Sequence, residues 1–176
     1  MTATLPPYTY VPGHWPHPTR DADGHSVELE AGTPTNLDLR DWESCNNYRR
    51  GIQLFNHGYY WEAHEAWEGI WRLNKKSGPQ AQLLQGLIKV AAAGIKIRQG
   101  HAKAARSLLT QSAKHFQRVM EKHLEKFAGG LHLRVLERWC RDFRDEVSDI
   151  KADPSLSVEV LLPALNLENA DSKGSA

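Results

Sequence analysis

The chain of 176 residues carries 22 basic and 21 acidic side chains, is 40% hydrophobic and 24% charged, and has two cysteines. That length suits one domain of ordinary size, and the composition excludes collagenous, low-complexity and wholly disordered chains. Near-balanced charge leaves no broad field for gathering nucleic acid or anionic lipid, and Cys45 and Cys140 are too few for a disulfide scaffold or a cysteine-built zinc site, so a reducing cytoplasm is the expected compartment.

The first residues lack a basic stretch followed by an apolar run, and the longest apolar segment, Val90 to Ile95, is far too short to span a bilayer; no membrane segment is expected. Residues 1–37 read as a proline-rich arm, because six of the nine prolines fall there, at positions 6, 7, 12, 16, 18 and 34. No helix runs through such a stretch. Its Tyr8, Tyr10, Val11 and Trp15 favour an extended segment laid over the protein rather than a disordered lead-in, which is usually poor in aromatics.

From Asp38 the pattern turns helical. Leu39, Trp42, Cys45, Tyr48, Ile52 and Phe55 recur every three or four residues and predict a first helix over 38–56. Asn56-His57-Gly58 breaks it, and Tyr59 to Leu73 predicts a second. A loop over Asn74 to Pro79 leads to a third helix ending near Gln99, whose Ala91–Gly94 patch permits close helix approach. Gly100 separates this from a fourth helix, His101 to Lys126, and Gly129-Gly130 from a fifth, Leu131 to Ile150, stopped before Pro154. The helical domain therefore spans 38–152 and a tail 153–176, in which Val158–Leu167 reads as a strap before a polar end that frays.

Gly58-Tyr-Tyr-Trp-Glu-Ala63 is echoed, 42 residues on, by Gly100-His-Ala-Lys-Ala-Ala105. Glycine between helices followed by alanine at a close crossing is the physics of tetratricopeptide-like hairpins. The expected fold is all-α, a compact bundle of about five helices with such hairpins and the proline-rich arm.

Chemistry concentrates on the second helix. At 3.6 residues per turn, Tyr60, His64, Trp67 and Trp71 form one stripe, with Trp61, Glu65, Glu68 and Arg72 beside it. His64 and Glu68 sit one turn apart, so an imidazole and a carboxylate converge on one metal ion or one substrate proton. The zinc-protease pattern His-Glu-x-x-His is not met, since Glu68 stands where its second histidine belongs. Two readings remain. In one, His64 and Glu68, with Glu65 as a further oxygen ligand, hold a metal, or Glu65 or Glu68, held against tryptophans with a raised pKa, acts as general base or acid. In the other, Glu62 and Glu65 face water or pair with lysines, and His64 is a core histidine bonded to a carboxylate.

The arm adds His14, His17 and His25, the last following an Asp23-Gly24 turn. If the arm crosses the second helix, His17 and His25 complete a divalent-metal site with His64 and Glu68; otherwise they decorate a surface loop. Asp21-x-Asp23-Gly24 lacks the glutamate and helices of a calcium loop. Gln85 reads as a substrate contact or a satisfied buried amide. The lysines and arginines of helices three and four spread around those helices, so they do not form a nucleic-acid footprint.

Phe55-Asn-His-Gly-Tyr-Tyr-Trp-Glu-Ala-His-Glu-Ala-Trp-Glu-Gly-Ile-Trp71, followed by Leu84-Gln-Gly-Leu-Ile-Lys-Val-Ala-Ala-Ala93, resembles the bacterial and archaeal family called domain of unknown function 309. The resemblance covers residues 5 to about 125 and implies an all-helical bundle with no established activity. It implies that His64, Glu65, Glu68 and Gln85 match the family's motif and that His17 and His25 match its arm.

Two functions are therefore expected. The first is a metal-binding or metal-dependent hydrolase-like protein, with His17, His25, His64 and Glu68 as ligands to a divalent metal and Glu65 as base. The second is a non-enzymatic interaction module, in which a groove lined by Tyr59, Trp61 and Trp71 takes a peptide, a partner helix or a second copy of the chain.

Overall fold

In the computed structural model, which describes residues 4–25, 33–73, 77–123 and 126–168, the periodic segments form five helices. They are α1 (Asn46–Asn56), α2 (Tyr60–Leu73), α3 (Pro79–Arg98), α4 (Ala102–His123) and α5 (Leu133–Glu146). Each helix packs on the next in the chain, so sequence neighbours are neighbours in space and the core is a compact helical bundle. Parts of the arm, of the Asn74–Pro79 loop, of the expected end of the fourth helix and of the polar C-terminal end lie outside the described residues. Among the described residues no helix is long and apolar enough to cross a membrane.

Three boundaries differ from the periodicity; at one, the fifth helix ends at Glu146 and passes into a 3-10 turn, Val147–Asp149, short of the expected Ile150. The first helix begins at Asn46, not Asp38. The Asp38 carboxylate accepts the Arg40 N–H at 2.8 Å, a local turn that competes with helix formation, and only one 3-10 turn, Trp42–Ser44, precedes Cys45, whose φ and ψ are extended. Between α4 and α5 lies a hairpin, β1 (Phe127–Ala128) paired antiparallel with β2 (Leu131–His132). Its turn residues Gly129 and Gly130 have φ of 58° and 73°. Two successive positive φ values make the reversal whose twist suits a two-residue hairpin, so this Gly-Gly folds back rather than simply ending a helix.

Glycines set how closely the helices approach. A Cβ at Gly86 of α3 would stand 2.5 Å from the Phe116 ring of α4, and one at Gly94 would stand 2.5 Å from Tyr60 of α2. Gly51 of α1 likewise lies flush against the indole of Trp67. Tyr60, Trp67 and Phe116 are buried as a result, and with Phe55, Tyr48 and the α3 leucines they fill the core.

An N-terminal stretch and a C-terminal stretch lie on this core. Leu162 and Leu165 are buried, and the Tyr60 hydroxyl accepts the N–H groups of Leu161 (2.8 Å) and Leu162 (2.9 Å). The Asn56 amide makes paired bonds to the Leu165 backbone, and buried Arg98 donates to the Leu156 carbonyl at 2.6 Å. In the N-terminal stretch Tyr8 and Val11 are buried. The Thr9 N–H donates to the Ser157 carbonyl and the Trp15 indole to that of Pro154, which ties the arm to the C-terminal segment.

Candidate functional site

One turn of α2 carries the cluster. His64 Nδ1 stands 3.3 Å from Glu65 Oε1 and 3.9 Å from Glu68 Oε2, and the other Glu68 oxygen pairs with Arg72 at 3.0 Å. One ligand atom from each of His64, Glu65 and Glu68 lies within 4.8 Å of the others. Metal–ligand bonds of about 2.0–2.2 Å hold ligand atoms roughly 3.3 Å apart, a contraction that side-chain torsions supply without backbone movement. All three side chains are partly exposed, at 25%, 38% and 26%. The His64 Nδ1 atom itself is shielded from water and faces both carboxylates.

The helix holds them there because its adjoining face is committed. Tyr60, Ala63, Trp67 and Ile70 are buried, and the Trp67 indole donates to the Tyr48 carbonyl at 3.3 Å, which fixes the rotation of α2 about its axis. His64, Glu65 and Glu68 are then left at the margin between core and solvent.

The Glu65 carboxyl titrates below the usual carboxylate range. Its hydrogen bond with His64 is the main cause; partial burial opposes the shift, and the charges of His64, Arg72 and His17 add to it. A raised pKa, expected from the neighbouring tryptophans, is therefore not what the surroundings of Glu65 produce. An ionised carboxylate of this kind is better suited to ligating a cation than to taking up a proton near neutral pH.

Across from Glu65, the arm closes a cleft of about 390 Å³ lined by His17, Thr19, Arg20, Trp61, Glu65 and Arg72. His17 stands edge-on to Trp61 at 5.4 Å and to Tyr10 at 4.9 Å. Its backbone N–H donates to the Asp21 carboxylate at 2.6 Å, and its Nδ1 accepts from the Thr19 N–H at 3.3 Å. The loop is tightly closed: a Cβ on Gly24 would strike the carbonyls of His17 and Pro18.

His25 lies elsewhere. Its side chain is 3% exposed, its Nε2 is 3.3 Å from Glu62 Oε1, and its ring stands edge-on to Tyr8 at 4.3 Å. Glu62, read from sequence as a solvent-facing carboxylate, is fully buried. It accepts the Thr9 hydroxyl at 2.6 Å and the Tyr10 N–H at 3.0 Å as well. The structure thus brings His64, Glu65 and Glu68 together, sets His17 at the cleft beside them, and pairs His25 with a carboxylate of its own.

Glu62 is the residue that sequence reasoning missed, although a signal was present. Glu62, Ala66 and Gly69 fall on one face, and two small residues in a row leave a channel in which another segment can lie. Ala66 is buried, and a Cβ on Gly69 would stand 3.2 Å from Pro34 of the crossing chain.

The proposed aromatic groove is not formed by its three residues. Tyr59 is 7% exposed and its hydroxyl donates to the Pro6 carbonyl at 2.7 Å, Trp71 is partly buried against the core, and Trp61 alone lines the cleft. Gln85, half-buried on α3, belongs neither to the His64 cluster nor to the cleft lining.

A family model described as Domain of unknown function (DUF309) matches residues 48–108, from α1 into α4. The matched stretch contains His64, Glu65, Glu68 and Gln85, and leaves His17 and His25 outside it. No curated protein matches the chain.

Proposed function

We propose that the DUF309 segment of this chain, residues 48–108, supplies a divalent-metal site made by His64, Glu65 and Glu68. The observation that supports it is the convergence of one imidazole and two carboxylates within 4.8 Å, with a shielded imidazole nitrogen facing both carboxylates. One nitrogen and several oxygens form a borderline-to-hard set, suited to manganese, iron(II) or zinc rather than to soft, thiolate-seeking ions.

Three protein ligands would leave coordination positions open, and one of the three, Glu65, also lines the cleft. A water bound there is acidified by the ion, which is the chemistry of a metal-dependent hydrolase. Glu65 acts as a ligand, because its lowered pKa suits it poorly to the role of base. His17, across the cleft, is the imidazole available to move a proton, and His25 holds the arm through Glu62. No observation favours the peptide-groove reading, since Tyr59 is occupied by Pro6.

The test is elemental analysis of untagged protein after equilibration with manganese and zinc and removal of loose ions. Wild type is expected to retain close to one ion per chain, and His64→Ala to lose it while keeping its helical circular dichroism. A wild-type protein that retains no metal overturns the proposal.

A further inference from the structure

The cleft beside the cluster has a chemical character that the ligands alone do not explain. Glu65 is its one acidic side chain with an oxygen still to offer, because the carboxylate of Glu62 is taken by Thr9, Tyr10 and His25. The other polar groups of the lining donate. Arg20 and Arg72 carry guanidinium groups, which have only donors, and Thr19 adds a hydroxyl. His17 accepts at Nδ1 from the Thr19 N–H, so in its neutral form the ring proton sits on Nε2 and is a further donor.

The rim is also set in advance. The His17 N–H to Asp21 bond, the return bond from the Asp21 N–H to the His17 carbonyl and the tight contact at Gly24 hold the backbone of Thr19 and Arg20 in place before any ligand arrives. Pre-organised donors lose little freedom on binding.

From this we infer that the cleft takes a substrate through an oxyanion, a phosphate monoester or a carboxylate, gripped by Arg20 and Arg72 with its reacting atom beside the metal. The inference rests on the metal site proposed above. Arg72 links the two: it lines the cleft and pairs at 3.0 Å with Glu68 Oε1, while Glu68 Oε2 is the oxygen that faces His64.

The full-length protein is loaded with manganese, free ion is followed by electron paramagnetic resonance, and the methyl-proton relaxation of methylphosphonate or of acetate reports anion held near the ion. Bound manganese should sharply enhance relaxation of at least one probe, and the stronger of the two assigns a tetrahedral or a planar anion. Arg20→Gln, at an exposed position outside the metal cluster, should weaken that probe by about fivefold or more, as expected for a lost charge-assisted bond, with manganese affinity unchanged. Manganese binding without enhancement of either probe, or with enhancement indifferent to Arg20→Gln, overturns the anion inference and leaves the metal site standing. Failure to bind manganese or zinc at all overturns both.

Discussion

Glu62 in the second helix and Thr9 in the arm, 53 positions apart, share a 2.6 Å hydrogen bond in a place closed to water. With the Tyr10 N–H and the His25 ring also directed at this carboxylate, one side chain fastens the N-terminal segment across the helix that carries the candidate site. Glu62→Ala leaves those donors buried and unmatched and should cost about 2–4 kcal/mol, whereas Thr9→Val should cost about 1 kcal/mol. Chemical denaturation measures both. Limited proteolysis should also find the arm cut faster in Glu62→Ala, and an unchanged midpoint with an uncut arm would contradict this role.

The α3–α4 crossing is as close as it is because Gly86 lies under the Phe116 ring, with the Ser112 hydroxyl donating to the Gly86 carbonyl at 2.8 Å beside it. Alanine at 86 gains about 0.5–1 kcal/mol in helix preference. Its methyl group meets a ring with no room to retreat, a strain of about 1–3 kcal/mol. Gly86→Ala should therefore lower the thermal midpoint, against the usual direction of glycine-to-alanine changes in helices; a raised midpoint would show that the helices separate easily.

His115 on α4 is 8% exposed, and its Nδ1–H donates to the Gln82 side-chain oxygen at 2.8 Å. Burial, reinforced by the charges of Lys89 and Arg118, pushes its pKa down to about 4 from the ordinary 6.5. The neutral ring is the form the fold accepts, so its contribution is fully present above pH 6.5 and is lost as pH falls toward 4, where the unfolded chain binds a proton that the folded chain refuses. His115→Gln cannot titrate. The stability difference between wild type and variant should shift by on the order of 3 kcal/mol between pH 7 and pH 4, to the disadvantage of wild type. Parallel stability curves in urea would contradict this.

The helices were legible where the apolar period ran unbroken between clear stops. Gly58 and Gly100, with φ of 85° and 73°, separate helices as read, and α2 and α3 begin and end within a residue of the expectation. The early start at Asp38 failed because periodicity does not register a side-chain turn, and the hairpin at Gly129-Gly130 failed because the same dipeptide serves as stop or as reversal. For the site, helical spacing alone placed His64 beside Glu68. Nothing local to α2 announced that the arm would come to rest on Glu62, or that His64 would hold Glu65 ionised, because both depend on partners chosen by the tertiary fold.

X-ray absorption of the metal-loaded protein tests the central claim most directly. The account predicts a first shell dominated by oxygen at about 2.0–2.2 Å with a single imidazole contribution, which disappears in His64→Ala and persists in His25→Ala. A shell with two or more imidazoles, or one unchanged by His64→Ala, would place the ion elsewhere and contradict a site built on His64, Glu65 and Glu68.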